Sequence, residues 1–225
     1  HIALGTASII LPLRHPAHVA KAAATADVLS GGRLLLGVAS GDRPEEYPAM
    51  AQSFPDRGAQ FRDSIGYIRA VGAPYPRHQS AYGAQSGNID LLPRPAGSRL
   101  PLLITGGSQQ SPDWVAQNGD GWMTYPRDAA SQGRVIADYR ARLAAAGQPD
   151  KPVMQSLYVD LLPERDAQPR PIHLGFQAGS DFLRAYLREI EALGVNHVAL
   201  NLRFNKSPID TTLEQLADVV LPDFS

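Results

Sequence analysis

The residues best suited to chemistry lie in one glycine- and serine-rich stretch near the middle of the chain. The short apolar run Leu102–Ile104 is followed by Gly106–Ser108 and then by Ser111 and Pro112. Glycine lets a backbone approach a ligand closely, and serine hydroxyls can donate to phosphate oxygens. Ser111 is a typical N-cap and Pro112 suits the first helical position, so helix N–H groups add further donors. The stretch predicts a phosphate-binding turn; the alternative is a tight strand–helix turn that binds nothing.

The rest of the chain alternates strands with helices, as a scaffold for such a turn should. Apolar runs bounded by Gly or Pro indicate buried strands, and helical spacing of apolar residues indicates the helices between them. Six strand-then-helix units are predicted: 5–11 with 15–30, 33–39 with 57–71, 102–104 with 111–119, 121–124 with 128–146, 153–162 with 180–193, and 195–202 with a last helix capped by Thr211 and Glu214.

Three segments, 42–56, 72–99 and 163–179, lack a period and are predicted to be irregular. Only Ile89–Leu92 indicates a brief strand, and 72–99 is interpreted as an insertion. Repeated strand–helix alternation favours a parallel sheet with right-handed crossovers, either a closed barrel or an open doubly wound sheet. A closed barrel needs eight strands. We therefore expect one domain over 1–225 that lacks its first two units, since the sequence opens at His1 without a Met.

Composition excludes several functional classes. The net charge of -1, from 21 basic and 22 acidic residues, gives no electrostatic footprint for nucleic acid or an anionic membrane. The absence of cysteine excludes disulfides and thiolate nucleophiles. No apolar run approaches the ~20 residues of a membrane span, so a cytoplasmic protein is expected. No histidine pair has metal-ligand spacing, and no metal site is expected.

The order of motifs resembles the bacterial-luciferase-like flavin-dependent oxidoreductases. The resemblance is carried by GTASIILPLRHPAHVAKAAATADVLSGGRLLLGVASGD at 5–42, LPLLITGGSQQSPDWVAQNGDGW at 100–122 and LGVNHVALNL at 193–202. It implies an α/β fold, a TIM (β/α)8 barrel, that holds FMN or the deazaflavin F420 at the carboxyl ends of its strands. The first of the three stretches is the most specific.

Within this resemblance, Ala7 and Ser8 match a distorted backbone, often a non-prolyl cis peptide, that faces the flavin ring. Ser40 and Gly41 match a strand end that approaches the flavin and its phosphate. Trp122 could stack on the ring or fill the core. Together with the residue-based interpretation, the resemblance predicts ten cofactor contacts: Ala7, Ser8, Ser40, Gly41, Thr105, Gly106, Gly107, Ser108, Ser111 and Trp122.

The resemblance implies a monooxygenase or reductase acting on a small organic substrate, with FMN, dioxygen, a separate flavin reductase and a homodimeric assembly. Three alternatives stay open: an F420-dependent oxidoreductase, a flavin-binding protein without turnover, and a barrel that binds a sugar phosphate. The cofactor performs the difficult step, so few side chains are obligatory and no catalytic residue is assigned. His78 and His173 are weak acid–base candidates, and a helix-capping role is predicted for His15.

Overall fold

A computed structural model describes residues 2–224, which divide between Trp122 and Met123 into two compact units. Strands and helices alternate in both, and the six strand–helix units expected from the sequence are present within the described residues. Whether the two units act as one domain stays a prediction. No helix in the described chain is both long and apolar enough to cross a membrane.

The first unit contains a parallel sheet, four helices and a separate hairpin. Its elements are β1 (Leu4–Ile10), α1 (Pro16–Ser30), β2 (Leu34–Ala39), α2 (Glu46–Ala49), α3 (Arg57–Val71), β3 (Arg77–Ser80), β4 (Gly83–Ser86), β5 (Leu102–Thr105) and α4 (Pro112–Asn118), followed by β6 (Gly121–Thr124), which runs across the boundary.

The β1, β2 and β5 strands lie side by side in parallel, so their carboxyl ends share one edge. Leu4 pairs with Leu34, and Leu36 pairs with Leu102. Leu102 and Ile104 are fully buried. Each such side chain contributes roughly 1.5–3 kcal/mol of transfer free energy, which fixes β5 in the centre of this unit.

The capping residues predicted from the sequence cap α1 and α4 in the structure. His15 caps α1, its Nδ1 accepting from the Ala17 N–H at 3.2 Å, and Gly31 ends the helix at φ +71°. Ser111 caps α4, its Oγ accepting from the Trp114 N–H at 3.2 Å. The predicted capping role of His15 is confirmed.

The sequence-based prediction for residues 72–99 was wrong in detail. Residues 89–92 form no strand, whereas β3 and β4 form an antiparallel hairpin in which His78 pairs with Gln85. The strands Arg77–Ser80 and Gly83–Ser86 are polar and short, so neither gives an apolar run to detect. The hairpin is held by side-chain contacts with α3 instead, including the 2.9 Å hydrogen bond from Gln85 Nε2 to Tyr67 Oη.

The second unit is built around one long strand. Its elements are α5 (Ala129–Ala145), β7 (Val153–Leu161), β8 (Arg170–Ile172), β9 (Gly175–Ala178), α6 (Ser180–Ala192), β10 (His197–Asn201) and α7 (Ile209–Gln215). The β7 strand pairs in parallel with β10 on one side and with β9 on the other, and β8 adds to β9 in the antiparallel sense.

The two faces of β7 differ in character. Leu157, Val159 and Leu161 point into an apolar core shared with Leu183 of α6. Because side chains alternate along a strand, Tyr158 lies on the opposite face. The sequence pattern did not separate these faces, since both carry large residues.

Three further details differ from expectation in this unit. Segment 163–179 is not wholly irregular, because it contains β8 and β9. The last helix starts at Ile209 after Pro208, so Thr211 is not its cap, and Gly179 rather than Ser180 precedes α6. Pro208 itself occupies the N-cap position, so the helix begins three residues earlier than the Thr211–Glu214 spacing predicts.

Candidate cofactor site

The turn that follows β5 has an unusual backbone. Gly106, Ser108 and Gln109 all have positive φ, at +56°, +45° and +61°. For residues other than glycine this conformation costs roughly 1–2 kcal/mol each, so surrounding contacts must hold it. From Gly106 to Ser108 the sign of φ alternates, an arrangement that turns successive N–H groups to one side and creates a concavity suited to an anion.

The Ser108 side chain belongs to the framework of this turn. Ser108 is buried, and its hydroxyl donates to the Thr105 carbonyl oxygen at 2.8 Å and accepts from the Ser40 N–H at 3.3 Å. The hydroxyl thereby joins the ends of β5 and β2. Its only hydrogen is already used, so it shapes the turn and is not free to donate to a phosphate.

Gln110 fastens the turn to α3. Its Nε2 donates to the carbonyl oxygens of Ser108 and Gly58, each at 2.9 Å, and its Oε1 accepts from Arg62 Nη1 at 2.8 Å. Gly58 lies in the first turn of α3, close to the Gln109 side chain. A Cβ added at Gly58 would lie only 2.9 Å from that side chain, so the close fit favours glycine. The sequence analysis missed Gln110, because nothing local marks a contact across 52 residues.

Several donors around the turn are available to a ligand. Within residues 2–224, the N–H groups of Gly107, Ser108 and Gln109 have no protein acceptor. The Ser111 hydroxyl accepts from Trp114 and keeps its own hydrogen. The α4 helix has only seven residues, so these local donors matter more than a helix dipole.

The backbone at Ala7 and Ser8 is distorted, although not by a cis peptide. The β1–β2 register slips between Thr6 and Ile9, so two residues bulge where the partner strand has one. Within the described chain the cis bond is Leu92–Pro93, so the distorted backbone predicted at Ala7–Ser8 is a bulge between trans peptides and not the cis form frequent in the family. Ala7 and Ser8 are exposed, and the Ala7 carbonyl oxygen accepts from Thr105 Oγ1 at 3.3 Å.

Gly41, at the end of β2, permits a close approach that no other residue allows. It has φ +81°, and an added Cβ would lie 2.7 Å from Tyr47 Oη and 2.8 Å from Ile10 Cγ2. The Tyr47 hydroxyl donates to the Ser40 carbonyl oxygen. Burial raises the pKa of Tyr47 above its ordinary value, with Arg57 acting in the opposite direction, so this hydroxyl remains a donor.

Arg57 brings positive charge to this corner, and the sequence analysis overlooked it. Its guanidinium carbon lies 3.7 Å from the centroid of the Phe54 ring, and Nη1 donates to the Phe54 carbonyl oxygen at 2.8 Å. Its Nε is buried without an acceptor in the described chain. An arginine at the start of a helix carries no local signature, so only its position over Phe54 and the effect of its charge on Tyr47 reveal it.

Trp122 touches the same turn from β6. Its indole Nε1 donates to the Gly106 carbonyl oxygen at 3.0 Å, and the residue is half-buried. The structure therefore brings all ten predicted residues into the first unit, around the carboxyl ends of β1, β2 and β5. His78 lies away from the turn, because it packs on Tyr67 of α3. Tyr67 is nine residues, or roughly 13 Å along the helix, from Gly58, the α3 residue that lies beside the turn.

The start of β5 is fixed by a separate ionic group. Asp120 accepts from the Leu102 N–H at 2.9 Å and pairs with Arg69 and Arg99. Burial lowers the pKa of Arg69, while its hydrogen bond to Asp120 opposes this shift. This group holds the amino end of the strand whose carboxyl end forms the turn.

Comparison with known proteins identifies the family. The family model described as luciferase-like monooxygenase matches residues 1–200. The chain belongs to this family. An uncharacterized protein of Mycobacterium tuberculosis is 30% identical over 177 residues, covering 74% of this chain and 59% of that protein. The chain thus spans less than two thirds of the length of such relatives.

Family relatives with assigned activities differ in cofactor. An F420-dependent hydroxymycolic acid dehydrogenase of Mycobacterium tuberculosis is 27% identical over 60% of this chain and 37% of its own length. The oxygenase component of a flavin-dependent trigonelline monooxygenase of Acinetobacter baylyi is 28% identical over 53% of this chain and 34% of its own length. Flavin and deazaflavin chemistry both occur among the relatives.

Solved structures agree on the fold. The monooxygenase RslO1 of Streptomyces bottropensis has a TM-score of 0.83 at 18% identity, covering all of this chain and 79% of its own. An F420-dependent secondary alcohol dehydrogenase has a TM-score of 0.77 at 16% identity, covering 97% of this chain and 78% of its own. The predicted luciferase-like barrel class is confirmed.

Proposed function

We propose that the protein is a flavin-dependent oxidoreductase whose turn 106–111 binds the phosphate of FMN. The observation that carries this proposal is the set of free N–H groups at Gly107, Ser108 and Gln109, beside the Ser111 hydroxyl. Arg57 supplies positive charge near the same strand ends. A phosphate dianion needs both kinds of group, several directed donors and a compensating cation.

The exposed bulge at Ala7 and Ser8 is the place proposed for the flavin ring. A bulge re-aims the backbone, and here neither residue has a large side chain that would cover a flat ring. The Trp122 indole, fixed by its hydrogen bond to Gly106, offers a second apolar surface. When bound, the flavin supplies the redox chemistry, and the chain's residues orient it and exclude water.

The proposed reaction is a monooxygenation of a small organic substrate with reduced flavin and dioxygen. The flavin-dependent relative is itself named as an oxygenase component, which supports a separate reductase as partner. A homodimer in the cytoplasm completes the proposal. F420 is the second candidate cofactor, favoured by the F420-dependent relative, because it presents a phosphate to the same turn.

Substitution at Ser111 tests the phosphate assignment. Asp and Asn both cap helices well and are nearly equal in size, so Ser111→Asp and Ser111→Asn should fold alike. The added carboxylate of Ser111→Asp should repel the phosphate and weaken FMN binding at least ~10-fold, since like charges at ~4 Å interact by a few kcal/mol at an effective dielectric of ~20. Ser111→Asn should bind FMN nearly as tightly as the wild type.

Riboflavin, which lacks the phosphate, is the matched ligand control. Fluorescence titration of each protein with FMN, F420 and riboflavin measures the three affinities. Riboflavin binding should be weak and equal in both variants. Equal FMN affinity in the two variants would place the phosphate elsewhere, and a strong preference for F420 would replace FMN as the cofactor.

A further inference from the structure

Three aromatic rings gather in the second unit on the side of β7 opposite its apolar core. The Tyr158 ring centroid lies 5.1 Å from that of Phe204 and 5.8 Å from that of His173. Phe204 is 39% exposed, His173 is exposed and Tyr158 is half-buried. We call these three residues the ring cluster. Aromatic rings that are exposed to solvent offer an apolar surface on which a ligand can stack.

Neighbouring residues leave the Tyr158 ring accessible. In the sheet register, Tyr158 pairs with Gly175 on β9 and with Asn201 on β10. Gly175 has no side chain to cover the ring. An added Cβ at Gly175 would overlap the Tyr158 backbone, so the close fit of the two strands requires glycine there.

The ring cluster lies beside two arginines that no carboxylate of the described chain neutralises. The Arg203 guanidinium carbon is 5.8 Å from the Phe204 centroid, and Arg170 lies on the same sheet face as Tyr158. Neither arginine forms an ion pair within the described residues. Asp160 on this face is 2% exposed and pairs with Lys206, whose Nζ lies 3.7 Å from its Oδ2, while Gln177 Nε2 donates to it at 2.6 Å. A positive charge therefore remains unpaired beside the rings.

The backbone that carries Phe204 is fixed before any ligand arrives. The Arg203 N–H donates to Asn201 Oδ1 at 3.0 Å, and the Leu161 N–H donates to Asn205 Oδ1 at 3.0 Å. Residues on both sides of Phe204 are thus tied to strands. Pre-ordered loops lose little conformational entropy on binding.

We propose that the ring cluster binds a planar aromatic carboxylate. Its ring would stack on Tyr158 and Phe204, and its carboxylate would pair with Arg203, whose planar guanidinium suits that group. The cluster borders the carboxyl end of β10, the end of parallel strands at which barrel enzymes bind ligands. The binding of such a ligand is independent of the proposed function. Its role as the substrate rests on the proposed function.

The test uses the cofactor-free full chain and three probes. Benzoate has a flat ring and a charge, benzamide has the ring alone, and cyclohexanecarboxylate has the charge alone. Calorimetric titration should show saturable benzoate binding that is at least ~10-fold tighter than binding of either analogue, a factor of 10 being about 1.4 kcal/mol. Arg203→Gln should remove most of the advantage of benzoate over benzamide, and Phe204→Ala should weaken both aromatic probes.

Two controls separate this proposal from the others. Arg134→Gln changes an exposed arginine on α5 and should leave benzoate binding unchanged. Ser111→Asp should bind benzoate as tightly as the wild type even if its FMN affinity is lost. The benzoate result therefore stands or falls independently of the cofactor assignment. Equal binding of benzoate and benzamide, an unaltered Arg203→Gln variant, or no saturable binding would each overturn the proposal.

Discussion

The Ser108 hydroxyl provides the sharpest test of how the turn is built. Its removal in Ser108→Ala deletes the bond to the Thr105 carbonyl oxygen and leaves the N–H of Ser40, which is 3% exposed, without an acceptor. A lost hydrogen bond costs about 1 kcal/mol and an unsatisfied buried donor about 1–3 kcal/mol. We expect the free energy of unfolding of the cofactor-free protein to fall by about 2–3 kcal/mol.

Urea denaturation followed by tryptophan fluorescence measures this loss. Both tryptophans, Trp114 and Trp122, lie in the first unit, so the signal reports on the unit that contains Ser108. Ser111→Ala is the matched control, because it removes only a cap and should cost about 1 kcal/mol. The midpoint of Ser108→Ala should fall further than that of Ser111→Ala, with the slope unchanged.

A different outcome would refute this assignment. If Ser108→Ala keeps wild-type stability but weakens FMN binding as strongly as Ser111→Asp, the hydroxyl donates to the phosphate and not to Thr105. The sequence-based prediction treated Ser108 and Ser111 as equivalent phosphate donors. The structure separates them into a framework residue and a free donor.

Two other predictions concern stability. Gly41→Ala should lower the free energy of unfolding by about 2–4 kcal/mol, through strain at positive φ and overlap with Tyr47. Gly31→Ala is the control and should cost only ~1–2 kcal/mol, because Gly31 has φ +71° but nothing within 4 Å of an added Cβ. Equal losses of the two variants in urea denaturation would contradict the steric argument. Hydrogen bonding from Arg184 lowers the pKa of Asp223, so its contribution to stability is present above the ordinary carboxyl pKa and is lost as pH falls through the depressed one. The difference in unfolding midpoint between wild type and Asp223→Asn should therefore be present at neutral pH and vanish in acid.

Local signals predicted most of the elements. The β5 strand, the caps at His15 and Ser111 and the six strand–helix units follow from apolar runs, helical spacing and short-range capping, all of which act within a few residues. The β3–β4 hairpin was missed for the same reason. Its strands are polar, and they are stabilised by contacts with α3 that no local pattern encodes.

The grouping of the candidate residues at one sheet edge could be predicted, but their individual contacts could not. All ten residues proposed for the cofactor lie around the ends of three adjacent parallel strands, because the sheet register brings those ends to one edge. The distorted backbone predicted at Ala7 and Ser8 takes the form of a bulge, which only the pairing with β2 could reveal. Arg57 and Gln110 were absent from the prediction, since their roles depend on partners far away in the sequence.

The sequence by itself determined which residues form strands and helices and where the glycine- and serine-rich turn falls, because propensity, capping and periodicity are properties of neighbouring residues. Only the tertiary structure decided which donors of that turn are free. The hydrogen of Ser108 is used by Thr105, whereas that of Ser111 is not. That difference depends on where strand β5 meets strand β2, and each hydroxyl donates only once, so the folded neighbours decide what remains for a ligand.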